Sequence, residues 1–203
     1  GLAILRQLVN VYGIPQENIY IGDPSKNIYK FTYDLWTTEF PNVNYIAELG
    51  EMGRIKAVPG ENPVLFYSDK GSVLDSSEDY LCSALEQADY LINISALKGH
   101  GIAGVTLNAK NHYGSHMKSN AGHLHPGLVG YNSSSTGYGK YRAQVDLIGH
   151  TMLGGNTILF LIDGLWAGPD ANLKPNKWKM YPFLNDWTSS IFVSQDNVAI
   201  ESV

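Results

Sequence analysis

The sequence has almost no cysteine and no long apolar run. Cys82 is the only cysteine among 203 residues, so the chain forms no internal disulfide and no cysteine-ligated zinc or iron–sulfur centre. No apolar run approaches the roughly 18 residues that suggest a membrane span, and we expect no membrane insertion of this segment. These absences leave a globular domain as the class of protein. Its hydrophobic content of 44% is enough to form a full core.

Acidic residues are missing from one long window. No Asp or Glu occurs between Asp89 and Asp146, whereas residues 90–145 hold five Lys or Arg and five of the six histidines. This window therefore carries a charge of +5 and the rest of the chain −10, because the total is −5. A local positive field favours a small anionic ligand. The overall acidity disfavours nucleic acid as a partner, and the oligomeric state stays open.

Apolar extended segments alternate with helical patterns along the chain. Strands are predicted at 18–23, 63–69, 89–97, 156–163 and 189–194. Helices are predicted at 1–13, from a capping box at Ser76 to residue 88, and at 141–152. This alternation predicts an α/β fold with a mainly parallel central sheet flanked by helices, as in a three-layer, Rossmann-like single domain.

Two long loops are predicted, at 114–140 and 167–187, and long loops in compact domains are often functional. The first residues already show the apolar spacing of a helix, and the last residues include no glycine or proline that would mark the end of an element. We therefore expect residues 1–203 to be an excised fragment of a longer protein.

A glycine-rich stretch, GHGIAG at 99–104, comes after the predicted strand 89–97 and matches G-x-G-x-x-G. The acidic residue expected about twenty positions later in a dinucleotide site is missing, so nucleotide binding is disfavoured. The glycines, including Gly101 and Gly104, still permit close approach of an anion to the backbone. A helix is predicted next, with its apolar stripe at Ile102, Val105, Ala109 and Tyr113 and its end near Gly114.

The histidines suggest metal binding in addition to anion binding. His123 and His125 lie in one tight turn, and with His100 and Asp163 they would form a mixed nitrogen and oxygen site for a divalent metal. The competing interpretation is that the loop histidines are solvated. His112 and His116 are four residues apart, but the helix end at Gly114 argues against a shared metal and places His116 in a loop.

The stretch ADYLINISALKGHGIAGVTLNAKNHYG is similar to the central motif of the domain of unknown function 362 family, in which a strand precedes Lys-x-His and a helix ends in Lys-Asn-x-x-Gly. The matching residues are Lys98, His100, Thr106, Lys110, Asn111 and Gly114. NIYIGDPS, a histidine at 123 or 125, LIDGLWAGPD and SQDNVAIESV resemble further family blocks. Asn197 and Glu201 depart from the usual proline and aspartate. Many relatives carry ferredoxin-like cysteines or export signals elsewhere, so the resemblance implies a redox association and, in bacteria, an exported location.

The leading hypothesis is a pocket for an anionic small ligand, with or without a divalent metal. Lys98 and Lys110 would neutralise the ligand and His100 would act as acid, base or metal ligand. The other expected ligand-binding residues are Asn111, Gly101, Gly104 and Thr106. One alternative is a non-catalytic module that holds a cofactor or metal for a partner or a missing domain. Another is purely structural: Lys110 and Asn111 cap a helix, and Asp163 is buried against Lys98.

Overall fold

The computed structural model describes residues 1–67, 79–118, 121–125, 128, 143–171 and 173–202. These residues form one α/β domain. The α-helices are α1 (Leu2–Arg6), α2 (Lys30–Glu39), α3 (Ser83–Glu86), α4 (Asn108–Asn111), α5 (Ala143–Gly149) and α6 (Asn197–Glu201). The strands are β1 (Tyr20–Asp23), β2 (Asn44–Ala47), β3 (Ile55–Lys56), β4 (Pro59–Leu65), β5 (Asp79–Cys82), β6 (Leu91–His100), β7 (Gly104–Thr106), β8 (Thr157–Gly168) and β9 (Ser190–Ser194).

The N-terminal part is a small parallel sheet in the order β1-β2-β3. Its hydrophobic core contains Leu5, Ile19, Phe40, Val43 and Tyr45. The strands end at Asp23, Ala47 and Lys56, and because they are parallel these ends lie at one edge of the sheet. Ligands of open parallel sheets gather at such an edge.

The central sheet has the order β7-β6-β8-β9 and is mixed. β6 and β8 are parallel, whereas β7 and β9 pair antiparallel to them. β4 and β5 form a separate antiparallel pair. The predicted α/β class is confirmed, but the mixed pairing does not confirm a mainly parallel, Rossmann-like three-layer fold.

The predicted helix after the glycine-rich stretch is wrong over its first half. β6 continues to His100, and the chain then turns back so that Lys98 pairs with Thr106 and His100 with Gly104. Gly104 has a φ of 80°, which favours glycine in this turn. The β-branched Val105 and Thr106 suit the returning strand, and α4 begins only at Asn108. The stretch is therefore a hairpin, and it lacks the strand-to-helix geometry of a dinucleotide motif.

The other sequence predictions are confirmed with shifted boundaries or corrected. All five predicted strands occur, and the helix predicted at 141–152 is α5, although Tyr141 lies outside the described residues. The helix predicted before residue 88 is reduced to α3, because Leu81 and Cys82 lie in β5, where both are buried. Ser76 and most of the predicted 114–140 loop lie outside the described residues. No helix in the described part is long and apolar enough to cross a membrane.

Candidate functional site

Lys98, His100, Lys110 and His125, here named the cationic cluster, meet beside the carboxyl end of β6. Lys98 and His100 lie on the last residues of β6, and α4 supplies Lys110. The rings of His100 and His125 stack with their centroids 5.6 Å apart and their planes at 26°. The structure thus brings together four basic side chains: the predicted catalytic residues Lys98, His100 and Lys110, and His125, which the sequence predicts as a metal ligand.

The two stacked imidazoles are oriented by different backbone contacts. His100 Nδ1 accepts hydrogen bonds from the Ile102 and Ala103 amides at 3.1 and 3.0 Å. His125 Nδ1 donates to the Ala121 carbonyl at 2.8 Å. A neutral imidazole has one N–H and one lone pair, so these contacts assign the proton of His100 to Nε2 and leave the lone pair of His125 on Nε2. The pair therefore offers one donor and one acceptor.

The two lysines are held in a partly buried setting. Lys98 Nζ donates to Thr106 Oγ1, and Lys110 Nζ lies 3.9 Å from the centroid of the Tyr113 ring. Burial, together with the charge of Lys98, lowers the pKa of Lys110 to about 8. Burial also lowers the pKa of Lys98, against the opposing charge of Asp170. The cluster is therefore a concentration of positive charge with a reduced hydration shell.

Burial lowers the pKa of His100, and the charges of Lys110, His125 and Lys98 lower it further, with Asp170 opposing them. His100 is therefore neutral near pH 7, with its Nε2–H available as an uncharged donor. Thr106 Oγ1 accepts the hydrogen bond from Lys98 Nζ. Gly101 lies in the hairpin turn after His100, and Gly104 begins the returning strand opposite His100.

Asn111 lies at the end of α4 and ties that helix to β6. Its amide donates to Asn93 Oδ1 at 2.9 Å and to the Ile94 carbonyl at 3.2 Å. Asn93 in turn contacts His112 Nε2 at 2.9 Å, and His112 Nδ1 lies 3.0 Å from Ser115 Oγ. These amide and imidazole contacts connect α4, which carries Lys110, to β6, which carries Lys98.

Asp163 lies apart from the cationic cluster. It is exposed on β8, between Ala96 and Ile191, and its Oδ1 accepts a hydrogen bond from the Leu165 amide at 3.1 Å. It is therefore not buried against Lys98, as the structural alternative required. The carboxylate whose charge acts on Lys98 and His100 is Asp170, in the loop after β8.

A second group, here named the histidine–aspartate cluster, consists of Asp79, His116 and His123. Their ligand atoms lie within 4.8 Å of one another, and no other group of this kind occurs in the described part of the chain. Asp79 is 0% exposed, and Oδ2 accepts hydrogen bonds from Tyr67 Oη and His123 Nε2, both at 2.7 Å. The predicted set of His100, His123, His125 and Asp163 shares only His123 with this group.

The charge of Asp79 is fixed by its neighbours. Burial acts to raise its pKa, but hydrogen bonds from His123, Tyr67 and Lys118 outweigh burial and lower the pKa to about 2. Lys118 Nζ lies 3.0 Å from Asp79 Oδ1 and forms an ion pair with it. Asp79 is therefore an ionised carboxylate in a fully buried position.

His116 is 1% exposed, and burial lowers its pKa to about 4. Its Nδ1 accepts a hydrogen bond from the Lys118 amide at 3.1 Å, whereas its buried Nε2 has no partner among the described residues. Its ring meets that of His123 edge to face, with centroids 4.8 Å apart. His116 comes after the short helical segment, as predicted, but it pairs with Leu81 as a β-bridge.

A cavity of about 110 Å³ lies next to this cluster. It is bounded by the carboxyl edge of the β1-β2-β3 sheet and by residues 116–118, and its polar lining is Ser25, Glu48, Lys56, His116 and Lys118. The family-like turn GDPS also lies here, because Ser25 Oγ donates to the Gly114 carbonyl at 3.1 Å. A Cβ atom on Gly114 would lie 3.2 Å from Asp23 Oδ1, so a side chain at this position would require Asp23 to shift slightly.

Sequence reasoning missed Asp79 and His116. The sequence pattern places Asp79 in a helical capping box, and its burial depends on Tyr67 and His123, which are distant in sequence. In β5, successive side chains point to opposite faces, so Asp79 shares a face with the buried Leu81.

The comparisons with known proteins identify a family but no individual related protein. A family model described as "Domain of unknown function (DUF362)" matches residues 3–203. Searches of curated proteins and of solved structures found no match to the chain. Because the family model covers essentially the whole sequence, the chain belongs to the DUF362 family.

Proposed function

We propose that the cationic cluster binds a small anionic ligand that carries a carboxylate or phosphate group. The observation that carries this proposal is the approach of two lysines whose pKa values are both lowered. Burial lowers the pKa of both lysines by removing part of the water that would screen them, and the charge of Lys98 lowers the pKa of Lys110 further. A bound anion offsets both the burial of the ammonium groups and the repulsion between them, because each ammonium gains an opposite charge at short range.

The histidine pair supports a role in proton transfer to that ligand. His100 offers a neutral Nε2–H to an anionic oxygen, and His125 offers an Nε2 lone pair to an acidic hydrogen of the ligand. Proton transfer by positioned imidazoles is the commonest form of general acid–base catalysis. Lys98 and Lys110 then hold the anion, His100 donates to it, and His125 accepts its proton.

Calorimetric titration of the full chain with inorganic phosphate, acetate and a phosphate monoester tests this function. Lys110→Met should weaken phosphate binding by about 10- to 100-fold, because a hydrogen bond to a charged group contributes roughly 1.5–3 kcal/mol. Lys179→Met is the matched control, because Lys179 is exposed and lies outside the cluster. Equal affinities of the two variants, or undetectable binding of all three probes to the unmodified protein, would refute the proposal.

A further inference from the structure

The geometry points to a divalent transition-metal site formed by Asp79, His116 and His123. His116 Nε2 is buried and has no hydrogen-bond partner in the described structure, whereas the buried Asp79 Oδ1 has the Lys118 ammonium as its ion-pair partner at 3.0 Å. Buried polar atoms are nearly always satisfied. An unpartnered imidazole nitrogen whose neighbours within 4.8 Å are a buried carboxylate and a second imidazole indicates a missing partner. A metal cation meets that requirement once the His116 proton is on Nδ1 and the cation replaces Lys118 Nζ beside Asp79.

The framework around the three side chains is rigid. The Cys82 amide donates to the Ser115 carbonyl at 3.1 Å and the Met117 amide to the Tyr80 carbonyl at 2.9 Å, so residues 115–117 run beside β5. This pairing fixes Asp79 and His116 relative to each other. Tyr67 Oη, bonded to Asp79 Oδ2, is the kind of outer hydrogen bond that orients a ligating carboxylate.

Metal binding would rearrange three contacts. His123 Nε2 now donates its proton to Asp79, and a metal would take the place of that proton between the two side chains. His116 Nδ1 accepts from the Lys118 amide, so coordination through Nε2 requires the proton to move to Nδ1 and that hydrogen bond to break. Lys118 Nζ would also leave Asp79 Oδ1 for the adjacent cavity, which Lys118 already lines.

The donor set selects the class of metal. Two imidazoles and one carboxylate suit zinc, iron(II), cobalt(II) or nickel(II), whereas calcium and magnesium prefer sites made of oxygen atoms alone. Three protein ligands leave at least one coordination position open. His116 also lines the cavity of about 110 Å³, which has room for water or a small anion in that position.

Cobalt(II) titration of the chelator-treated full chain tests the site, because the visible absorption of cobalt reports nitrogen and oxygen coordination directly. One equivalent should bind, and His123→Ala should abolish the absorption bands. His150→Ala is the matched control, because His150 contacts the Val64 carbonyl outside the cluster. His100→Ala should also retain cobalt, which separates this site from the proposed anion site, so either proposal can fail alone.

A milder variant protects the test against misfolding of His123→Ala. Tyr67→Phe removes only the outer hydrogen bond to Asp79 and should weaken cobalt binding by about tenfold or more. The inference is overturned if the unmodified protein shows no cobalt bands at one equivalent. It is equally overturned if the cobalt affinity of Tyr67→Phe equals that of the unmodified protein, or if the bands persist in a folded His123→Ala variant.

Discussion

His100 and His125 stack with ring centroids 5.6 Å apart, although they come from a strand end and from a separate turn. His123, two residues before His125, instead bonds to Asp79. One turn therefore supplies a histidine to each of two clusters. The two histidines therefore have different sets of neighbours.

Anion binding should weaken at alkaline pH because of Lys110. Its pKa is lowered to about 8, so the ammonium loses its proton as the pH rises through that value. Acetate is fully ionised above about pH 6, so its affinity should fall as the pH rises through about 8, as measured by calorimetry. In Lys110→Met this decline should disappear. A decline of the same size in the variant would assign the titration to another group.

Removal of the Glu201 carboxylate should loosen α4 and thereby weaken the anion site. Glu201 Oε1 accepts a hydrogen bond from the Ala109 amide at 2.5 Å, at the first turn of the helix that carries Lys110. Glu201→Ala should lower the free energy of unfolding by about 1 kcal/mol, as for loss of other helix caps. Urea denaturation measures this loss, and phosphate affinity should fall in parallel.

Glu17→Ala is the control for Glu201→Ala, because Glu17 has an exposed side chain. Its effect on stability should stay within about 0.5 kcal/mol. If both variants lose the same stability, the Glu201 contact does not support α4.

Stability should fall on acidification because of His112. Burial lowers the pKa of His112 from 6.5 to about 4. As the pH falls below 6.5, His112 is therefore protonated in the unfolded chain, whereas in the folded chain it stays neutral until about pH 4. Stability is therefore present above pH 6.5 and is lost as the pH falls from 6.5 towards 4. The full effect is on the order of 3 kcal/mol.

Urea denaturation at pH 7 and pH 5 measures the contribution of His112. The unmodified protein should lose stability between these values, and His112→Gln should lose less, even if its stability at pH 7 is lower. His116 titrates in the same direction and remains in both proteins. An equal loss in the two proteins would show that His112 does not carry the effect.

The sequence predicts the class of the fold and the cationic cluster, because both depend on local patterns. Apolar runs identify β6 and β8, and the acid-free window identifies Lys98, His100 and Lys110. The direction in which two strands pair depends on the path of the chain between them, which apolar patterns do not encode. The hairpin at Gly104 and the antiparallel β9 therefore escaped prediction.

Asp79 escaped prediction as a site residue because its environment is assembled from three separate segments, which carry Tyr67, His116 and His123. Asp163 is predicted as a ligand because a carboxylate after an apolar run requires a partner. The structure satisfies that requirement with solvent and with the Leu165 amide.

The most direct measurement of the central claim is a long-range ¹⁵N–¹H spectrum of the histidine rings during titration with inorganic phosphate. Before phosphate is added, His100 should carry its proton on Nε2 and His125 on Nδ1, as their backbone contacts require. On titration the His100 and His125 resonances should shift together with one affinity, while those of the buried His112 stay fixed. Resonances of His100 and His125 that do not respond, or that respond with different affinities, would contradict a shared anion site.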